Sequence, residues 1–260
     1  MTDSEQEHRD HRAQRALSFG TQAASYEINR PPYPPAAVRW GLRVAPGADA
    51  AGMRVLDLGA GTGKLTRALV ALGADVVAVE PDPQMLAELR RGLPGVESHA
   101  GRAEAIPLPD ASVDAVAVGQ ALQWFDTDRA MPQIARVLRP GGVLTGLWNA
   151  DDHTVDWVAG LARIEGRAVQ RLRETFAGDD AVELPGFPHS DGRLFDNAHR
   201  RTAESLTSTM ATRSAVAVLP DAERAARLAE IRAYLVSVPQ TARGEFDMPL
   251  VTMVHRWWRE

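Results

Sequence analysis

The sequence predicts an α/β protein: a doubly wound, mostly parallel sheet with an antiparallel last strand and a helical cap. Three observations predict it. Strand-like and helix-like segments alternate from about residue 53 to 148, as they do where crossover helices join parallel strands. The strand segments are apolar through their middles, as strands covered on both faces are. A glycine cluster, Gly59-Ala60-Gly61-Thr62-Gly63, directly follows the first strand and opens a helix.

Each element follows from its own pattern. Residues 1 to about 12 are charged and without apolar period, so they read as disordered, and Gln14 to Tyr26 is weakly helical. Arg30-Pro31-Pro32-Tyr33-Pro34-Pro35 is a stiff extended segment, because each proline fixes its own backbone and turns its predecessor away from helix. A short helix follows to Val44, then a loop from Pro46 to Gly52. Arg54 to Leu58 is the first strand. Lys64 to Leu72 is a helix with Leu65, Ala68, Leu69 and Leu72 on one face, stopped by Gly73. Asp75 to Glu80 is the second strand and Pro83 to Arg91 the second crossover helix. Val96 to Ala100 and Val113 to Val118 are further strands. Asp128 to Leu138 is a helix stopped by Arg139-Pro140-Gly141-Gly142, and Val143 to Trp148 is the fifth strand. Beyond it the pattern loosens: one helix from Trp157 to Phe176, a loop from Leu184 to Gly192, helices over Ala203–Met210 and Pro220–Val236, and a final strand over Pro249–Trp258.

The 260 residues suffice for one large α/β domain with a modest cap. The net charge of −5, without a long basic run, argues against a nucleic-acid partner. The absence of cysteine removes disulfides, thiolate metal sites and a cysteine nucleophile. No apolar stretch is long enough to span a bilayer and the charged start is unlike a signal peptide, so a cytoplasmic protein with no membrane partner is expected. The seven histidines form no ligand-spaced pair, so no metal is expected. Oligomeric state leaves no mark in the sequence.

The glycine loop carries the chemistry. Glycine permits the tight turn and the close approach of backbone to a ligand. Glu80 closes the next strand about where such folds place an acid for a ribose diol. A phosphate loop would need Gly-x-x-x-x-Gly-Lys-Ser/Thr, but Leu58 and Leu65 stand at its first and last positions. The dinucleotide pattern Gly-x-Gly-x-x-Gly fails by one residue, because Lys64 stands where its third glycine belongs. An NAD-dependent oxidoreductase is thus the weaker rival reading.

In Val55-Leu56-Asp57-Leu58-Gly59-Ala60-Gly61-Thr62-Gly63 the sequence resembles the class I S-adenosylmethionine (SAM)-dependent methyltransferases. Further segments resemble their later motifs in order: Glu80-Pro81-Asp82-Pro83-Gln84-Met85, Gly101 to Pro107, Asp114 to Phe125, and Arg136 to Gly142. Tyr26 to Pro34, Gln120 to Phe125 and Ala211 to Val216 resemble one branch, which includes methyltransferases of small carboxylic acids such as the trans-aconitate type. The resemblance implies a Rossmann-like fold, SAM as cofactor and a small-molecule acceptor. It leaves a non-catalytic SAM-binding protein as the other alternative. Two departures stand out: Arg102 occupies a position that is often acidic, and Gln123 one that is often histidine.

On this resemblance the cofactor residues are Tyr26, Arg30, Asp57, Gly59, Ala60, Gly61, Thr62, Gly63, Glu80, Pro81, Met85, Ala103, Glu104, Ile106, Gln120 and Ala121. Asp57 orders the glycine loop by bonding its backbone or, less directly, contacts the amino group of SAM; Glu80 takes the ribose hydroxyls; Tyr26 and Arg30 close over the amino-acid end, Arg30 being alternatively a surface arginine beside the prolines. Met85 and Ile106 either sandwich adenine or simply fill the core. Tyr33, Gln123, Trp124, Trp148 and Arg213 are the acceptor candidates, Trp124 being alternatively a core residue. No catalytic base is assigned, and His153 reads as an exposed loop histidine rather than as a base. Residues 1–45 are then an N-terminal segment and lid, and 46–260 the SAM-binding domain with its cap inserted at about 150–190.

Overall fold

A computed structural model describes residues 30–176 and 183–259, so the expected disordered start, the weak helix over Gln14–Tyr26 and Tyr26 itself lie outside the described residues. The described residues divide into two compact units: one of residues 30–148, 183–195 and 252–259, the other of 149–176 and 196–251.

The described elements begin with helix α1 (Pro35–Gly41). The alternating part follows as β1 (Arg54–Leu58), α2 (Lys64–Ala71), β2 (Asp75–Glu80), α3 (Pro83–Gly92), β3 (Glu97–Ala100), β4 (Val113–Gly119), α4 (Thr127–Val137) and β5 (Leu138–Asp151). Then come α5 (Asp156–Ile164), α6 (Leu172–Thr175), β6 (His189–Thr202), α7 (Ala203–Met210), α8 (Ser214–Ala217), α9 (Asp221–Ser237) and β7 (Glu245–Trp258). The sheet order is β3-β2-β1-β4-β5-β7-β6, and β1 to β5 pair in parallel. The last strand is antiparallel. Thr145 Oγ1 donates to His255 O and Asp152 N to Pro249 O, so numbers rise along β5 as they fall along β7.

In the first unit, alternate residues of each strand enter different cores, as the period of two requires. Leu56, Leu58, Val77, Val79, Val116, Val118 and Leu144 pack with Met131 and Ile134 of α4. Val55, Val76, Ala115, Ala117 and Val143 pack with Ala37 and Val38 of α1 and with Leu65 and Leu69 of α2. Both faces of the parallel strands are thus covered, which is why the strands read as unbroken apolar runs. The second unit has its own core: Trp157, Val158 and Leu161 of α5 against Leu206 and Met210 of α7, Ile231 and Leu235 of α9, and Phe246 and Met248. Thr202 opens α7 with a capping box to Ser205, each satisfying a free backbone donor of the other.

The fold corrects three sequence expectations. The single helix over Trp157–Phe176 is two pieces. Gly166 turns left-handed at φ 77°, its N–H reaching Arg163 O and that of Arg167 reaching Ala162 O, the bonding of a glycine-terminated helix. The loop expected over Leu184–Gly192 runs instead into β6, whose sequence is too polar for a strand pattern to show. Arg139 to Gly142 lie within β5 rather than before it.

Candidate cofactor site

The site is built at the carboxyl ends of β1, β2 and β4, where ligands bind in sheets of this type. Gly59, at φ 72°, could carry no side chain: a Cβ there would stand 2.9 Å from that of Ala121. Gly63, at φ 90°, occupies the left-handed position that starts α2. Between them the loop is tied to β2. Gly59 N and Ala60 N donate to Val79 O at 2.8 and 3.2 Å, and Gly61 N donates to Glu80 Oε2 at 2.8 Å. The other Glu80 oxygen accepts from Asp82 N at 2.9 Å. Burial pushes the Glu80 carboxyl above its usual range, against the pull of these backbone donors. The ordering of the glycine loop, expected of Asp57, is therefore done by Glu80.

Asp57 holds the following helix instead. Its Oδ2 accepts from Thr66 Oγ1 at 2.6 Å, in the first turn of α2. Its Oδ1 is buried and has no hydrogen-bond partner among the described residues. The residue is fully buried, and burial, with the neighbouring Glu80 charge adding to it, lifts its carboxyl to about 7. The folded protein thus keeps a proton that the unfolded chain releases above about pH 4, so this residue's contribution to stability falls as pH rises from there to about 7. Asp57→Asn is expected to remove that slope and to raise stability at neutral pH by at most about 4 kcal/mol. Thermal unfolding of both proteins at pH 5 and pH 8 checks this: the gain must be larger at pH 8.

The other candidates fall into place around the loop. Thr62 and Ala60 are buried within it, and Pro81 is half-buried beyond Glu80. Asp82 caps α3, accepting from Gln84 N and Met85 N at 2.8 and 3.0 Å. Met85 is buried, its sulfur 3.7 Å from where a Cβ on Gly61 would stand. Ala103 and Ile106 are buried in the α4-side core. Glu104 Oε1 accepts from Asp126 N at 3.0 Å, tying the loop after β3 to the start of α4. Arg102 is exposed. Arg136 was not singled out in the sequence, yet its guanidinium donates to the carbonyls of Ile106 and Leu108 at 2.9 and 2.8 Å and fixes that loop. Asp82 was equally missed, although Asp-Pro before an apolar helix is a readable start signal.

At the end of β4, Gln120 is a non-glycine residue at φ 59°, its N–H bound to Leu147 O at 2.9 Å. Ala121 touches the glycine loop through Gly59. A single 3₁₀ turn, Leu122–Trp124, follows. Gln123 Nε2 donates to Gln120 O at 2.8 Å, and Trp148 Nε1, at the end of β5, donates to Gln123 Oε1 at 3.0 Å. Trp124 is half-buried rather than a core residue. Tyr33 is buried, its hydroxyl 2.7 Å from where a Cβ on Gly119 would stand, so it covers the end of β4. Arg30 is exposed.

Arg213 and His153 belong to the second unit. Arg213 grips Asp151 with both terminal nitrogens, at 2.6 and 3.0 Å, and also reaches Glu165 at 3.2 Å. His153 is not an exposed loop histidine: it is 4% exposed, and its Nδ1 accepts from Gln170 N at 2.8 Å. Burial holds its imidazole below the usual range. Among the described residues no helix is long and apolar enough to cross a membrane.

Comparison with known proteins agrees with this geometry. Residues 56–145 match the methyltransferase domain family. An uncharacterized methyltransferase of Mycobacterium tuberculosis is 43% identical over 93% of this chain and 95% of its own length. The malonyl-[acyl-carrier protein] O-methyltransferase of Methylococcus capsulatus is 45% identical over 97 residues, 35% of either chain. Among solved structures, a protein from Anaeromyxobacter dehalogenans described as a type II methyltransferase aligns with a TM-score of 0.67 and 27% identity, covering 88% of this chain and 97% of that one. A glycine loop bound to the acid that ends β2, in a sheet of this order and with these relatives, has one reading: the chain belongs to the class I SAM-dependent methyltransferases.

Proposed function

We propose that this methyltransferase acts on a small-molecule acceptor and methylates an oxygen, with an ionised carboxylate as the substrate group. The observation that carries this is that the five candidate side chains after β4 and along β5 carry no ionisable group. Gln120, Ala121, Gln123 and Trp124 follow β4 and Trp148 lies in the last part of β5 before Asn149, and together they offer amides and indoles. A base is needed only for an acceptor that arrives protonated. A carboxylate arrives as its own nucleophile. The partial match to a malonyl-carrier O-methyltransferase, itself an oxygen methylase by name, supports the same chemistry.

The residues present fit SAM. Asp57 Oδ1 is a buried oxygen with no partner among the described residues, and a Cβ on Gly59 would close the cradle beside Ala121. Glu80 retains lone pairs for a ribose diol, since each of its oxygens is shown accepting one backbone donor. When bound, SAM would supply a sulfonium-activated methyl group, whose carbon would bond to the acceptor oxygen as its bond to sulfur breaks and S-adenosylhomocysteine leaves. The chain contributes alignment. The glycine loop holds the amino-acid part, Met85 and Ile106 the base, and Gln120 and Ala121 the reacting end. Holding the reactants close and aligned supplies much of the rate in such a displacement. Tyr33, buried over the end of β4, excludes water there. The protein works in the cytoplasm, with no nucleic acid or membrane as partner.

The test is a panel of carboxylic acids, phenols, alcohols and amines incubated with the protein and SAM, read by mass spectrometry for methylated product. Methyl esters of carboxylic acids, formed at a rate independent of pH above the acceptor's own pKa, are expected. Methylation confined to amines, or to hydroxyls at a rate that climbs with pH, would overturn the proposal.

A further inference from the structure

Gln120 is one of three described non-glycine residues with positive φ, and it sits at the end of β4 against the glycine loop. A bulky residue in that conformation costs about 1–3 kcal/mol and persists only where its surroundings over-determine it. One side chain does much of that here. The Gln123 carboxamide donates through Nε2 to the Gln120 carbonyl at 2.8 Å and accepts through Oε1 from the Trp148 indole at 3.0 Å. Its orientation is chemically forced: reversed, it would set oxygen against oxygen and N–H against N–H.

Trp148 is prepared for this clasp by its own strand. Positions 146 and 148 share a face of β5, and residue 146 is glycine. A Cβ there would stand 2.3 Å from the indole Cη2 and 2.7 Å from Cζ3, so only glycine lets the ring fold back over the strand. The ring also packs against the α4-side core and meets His255 of β7 edge-on, with centroids 6.1 Å apart. A glycine-made seat, a tryptophan laid in it and an amide that bonds the indole to a left-handed turn form one unit beside the glycine loop.

We infer that Gln123 is a positioning residue: it locks the Gln120 turn to Trp148 and so fixes the wall against which the acceptor is held. This rests on the methyltransferase reading of the site. It asks of Gln123 a donor and an acceptor at once, and no proton transfer.

That requirement makes Gln123→Glu a diagnostic replacement. Ionised, the introduced carboxylate still accepts from Trp148 but offers nothing to Gln120 O, and sets an oxygen against it. Protonated, the same carboxyl donates to Gln120 O and accepts from Trp148, restoring both bonds. Titratable groups beside the clasp include His255, which meets Trp148, and Glu104 and Asp126, which are hydrogen-bonded to each other just after the Leu122–Trp124 turn. Their titration is common to wild type and variant and is subtracted by the wild-type curve.

The experiment follows the Trp148 indole N–H resonance in the full chain saturated with S-adenosylhomocysteine, assigned by its loss in Trp148→Phe. In Gln123→Glu it is expected to be displaced at pH 8 and to return to the wild-type position on acidification. Turnover with the acceptor found in the panel is expected to fall about 10-fold at pH 8, from the loss of one or two hydrogen bonds of ~1 kcal/mol, and to recover as pH drops. Gly146→Ala, which evicts the ring while leaving Gln123 intact, is expected to lose turnover with no acid recovery. Should Gln123→Glu not fold, Gln123→Met is read instead, and a displaced resonance at every pH is the expected result. A Trp148 resonance indifferent to residue 123, or a turnover loss that acid does not reverse while the resonance returns, would overturn the inference. Failure of wild type to bind S-adenosylhomocysteine by calorimetry would count against the methyltransferase reading instead.

Discussion

Replacing Glu80 by alanine is expected to weaken SAM binding by at least about 100-fold, the largest single loss in the site. Two backbone donors, Gly61 N and Asp82 N, lose their carboxylate at once. Hydrogen bonds to a charged group contribute about 1.5–3 kcal/mol each, so two of them account for a factor on the order of 100 or more before any ribose contact is counted. Gly61 lies in the loop itself and Asp82 caps α3, so the variant loosens both the cradle and the helix that brings Met85 to it. Glu80→Gln keeps one acceptor oxygen but turns an amide toward the second donor, and an intermediate loss is expected. Burial raises the Glu80 carboxyl, so wild-type affinity is also expected to fall on acidification before an ordinary glutamate would protonate. Calorimetric titration with S-adenosylhomocysteine from pH 5 to 8 measures all three effects. An alanine variant that binds within about 10-fold of wild type would show that the loop is held by other means.

How much of this was legible in the sequence differs along the chain for physical reasons. Strands β1, β2 and β4 announce themselves because both faces are buried, and a run such as Val76-Val77-Ala78-Val79 suits no half-exposed element. The glycine loop was legible because a left-handed backbone leaves a glycine in the sequence at each turn. β6 was not, because an edge strand of sequence His-Ser-Asp-Gly-Arg-Leu-Phe carries few apolar residues and several charges, the composition that protects edges from wrong pairing. Gly166 is a readable helix stop that the single helix over Trp157–Phe176 passes over. The roles of Asp57 and Glu80 were harder. Both are acids at strand ends, and only geometry shows that one holds a helix and the other the loop. The Gln123 clasp joins residues 25 positions apart, and no local pattern predicts such a pairing.

Arg213→Ala is expected to destabilise the second unit by about 3–5 kcal/mol, the usual cost of removing one partner from a buried ion pair. Asp151 and Glu165 are 7% and 1% exposed, and Arg213 and Arg167 face both of them. Two buried carboxylates balanced by two guanidiniums are tolerable, whereas two left with one arginine are not. Burial alone would raise the Asp151 carboxyl, and the two guanidiniums override it and hold it down to about 2. Its folded value lies below the unfolded one, so its contribution, about 2 kcal/mol, is fully present above about pH 4 and is lost as pH falls toward 2. In Arg213→Ala this acid-side loss should begin at higher pH, because Asp151 then protonates more readily. Arg213→Lys keeps the charge but not the planar fork that meets both Asp151 oxygens, and an intermediate cost is expected. Denaturant unfolding at pH 7 and pH 4 separates these terms. The same variant also tests the expectation that Arg213 contacts the acceptor. If Arg213→Lys loses stability but its KM for the acceptor is unchanged, the arginine belongs to the fold; a raised KM in a protein of undiminished stability would place it with the substrate.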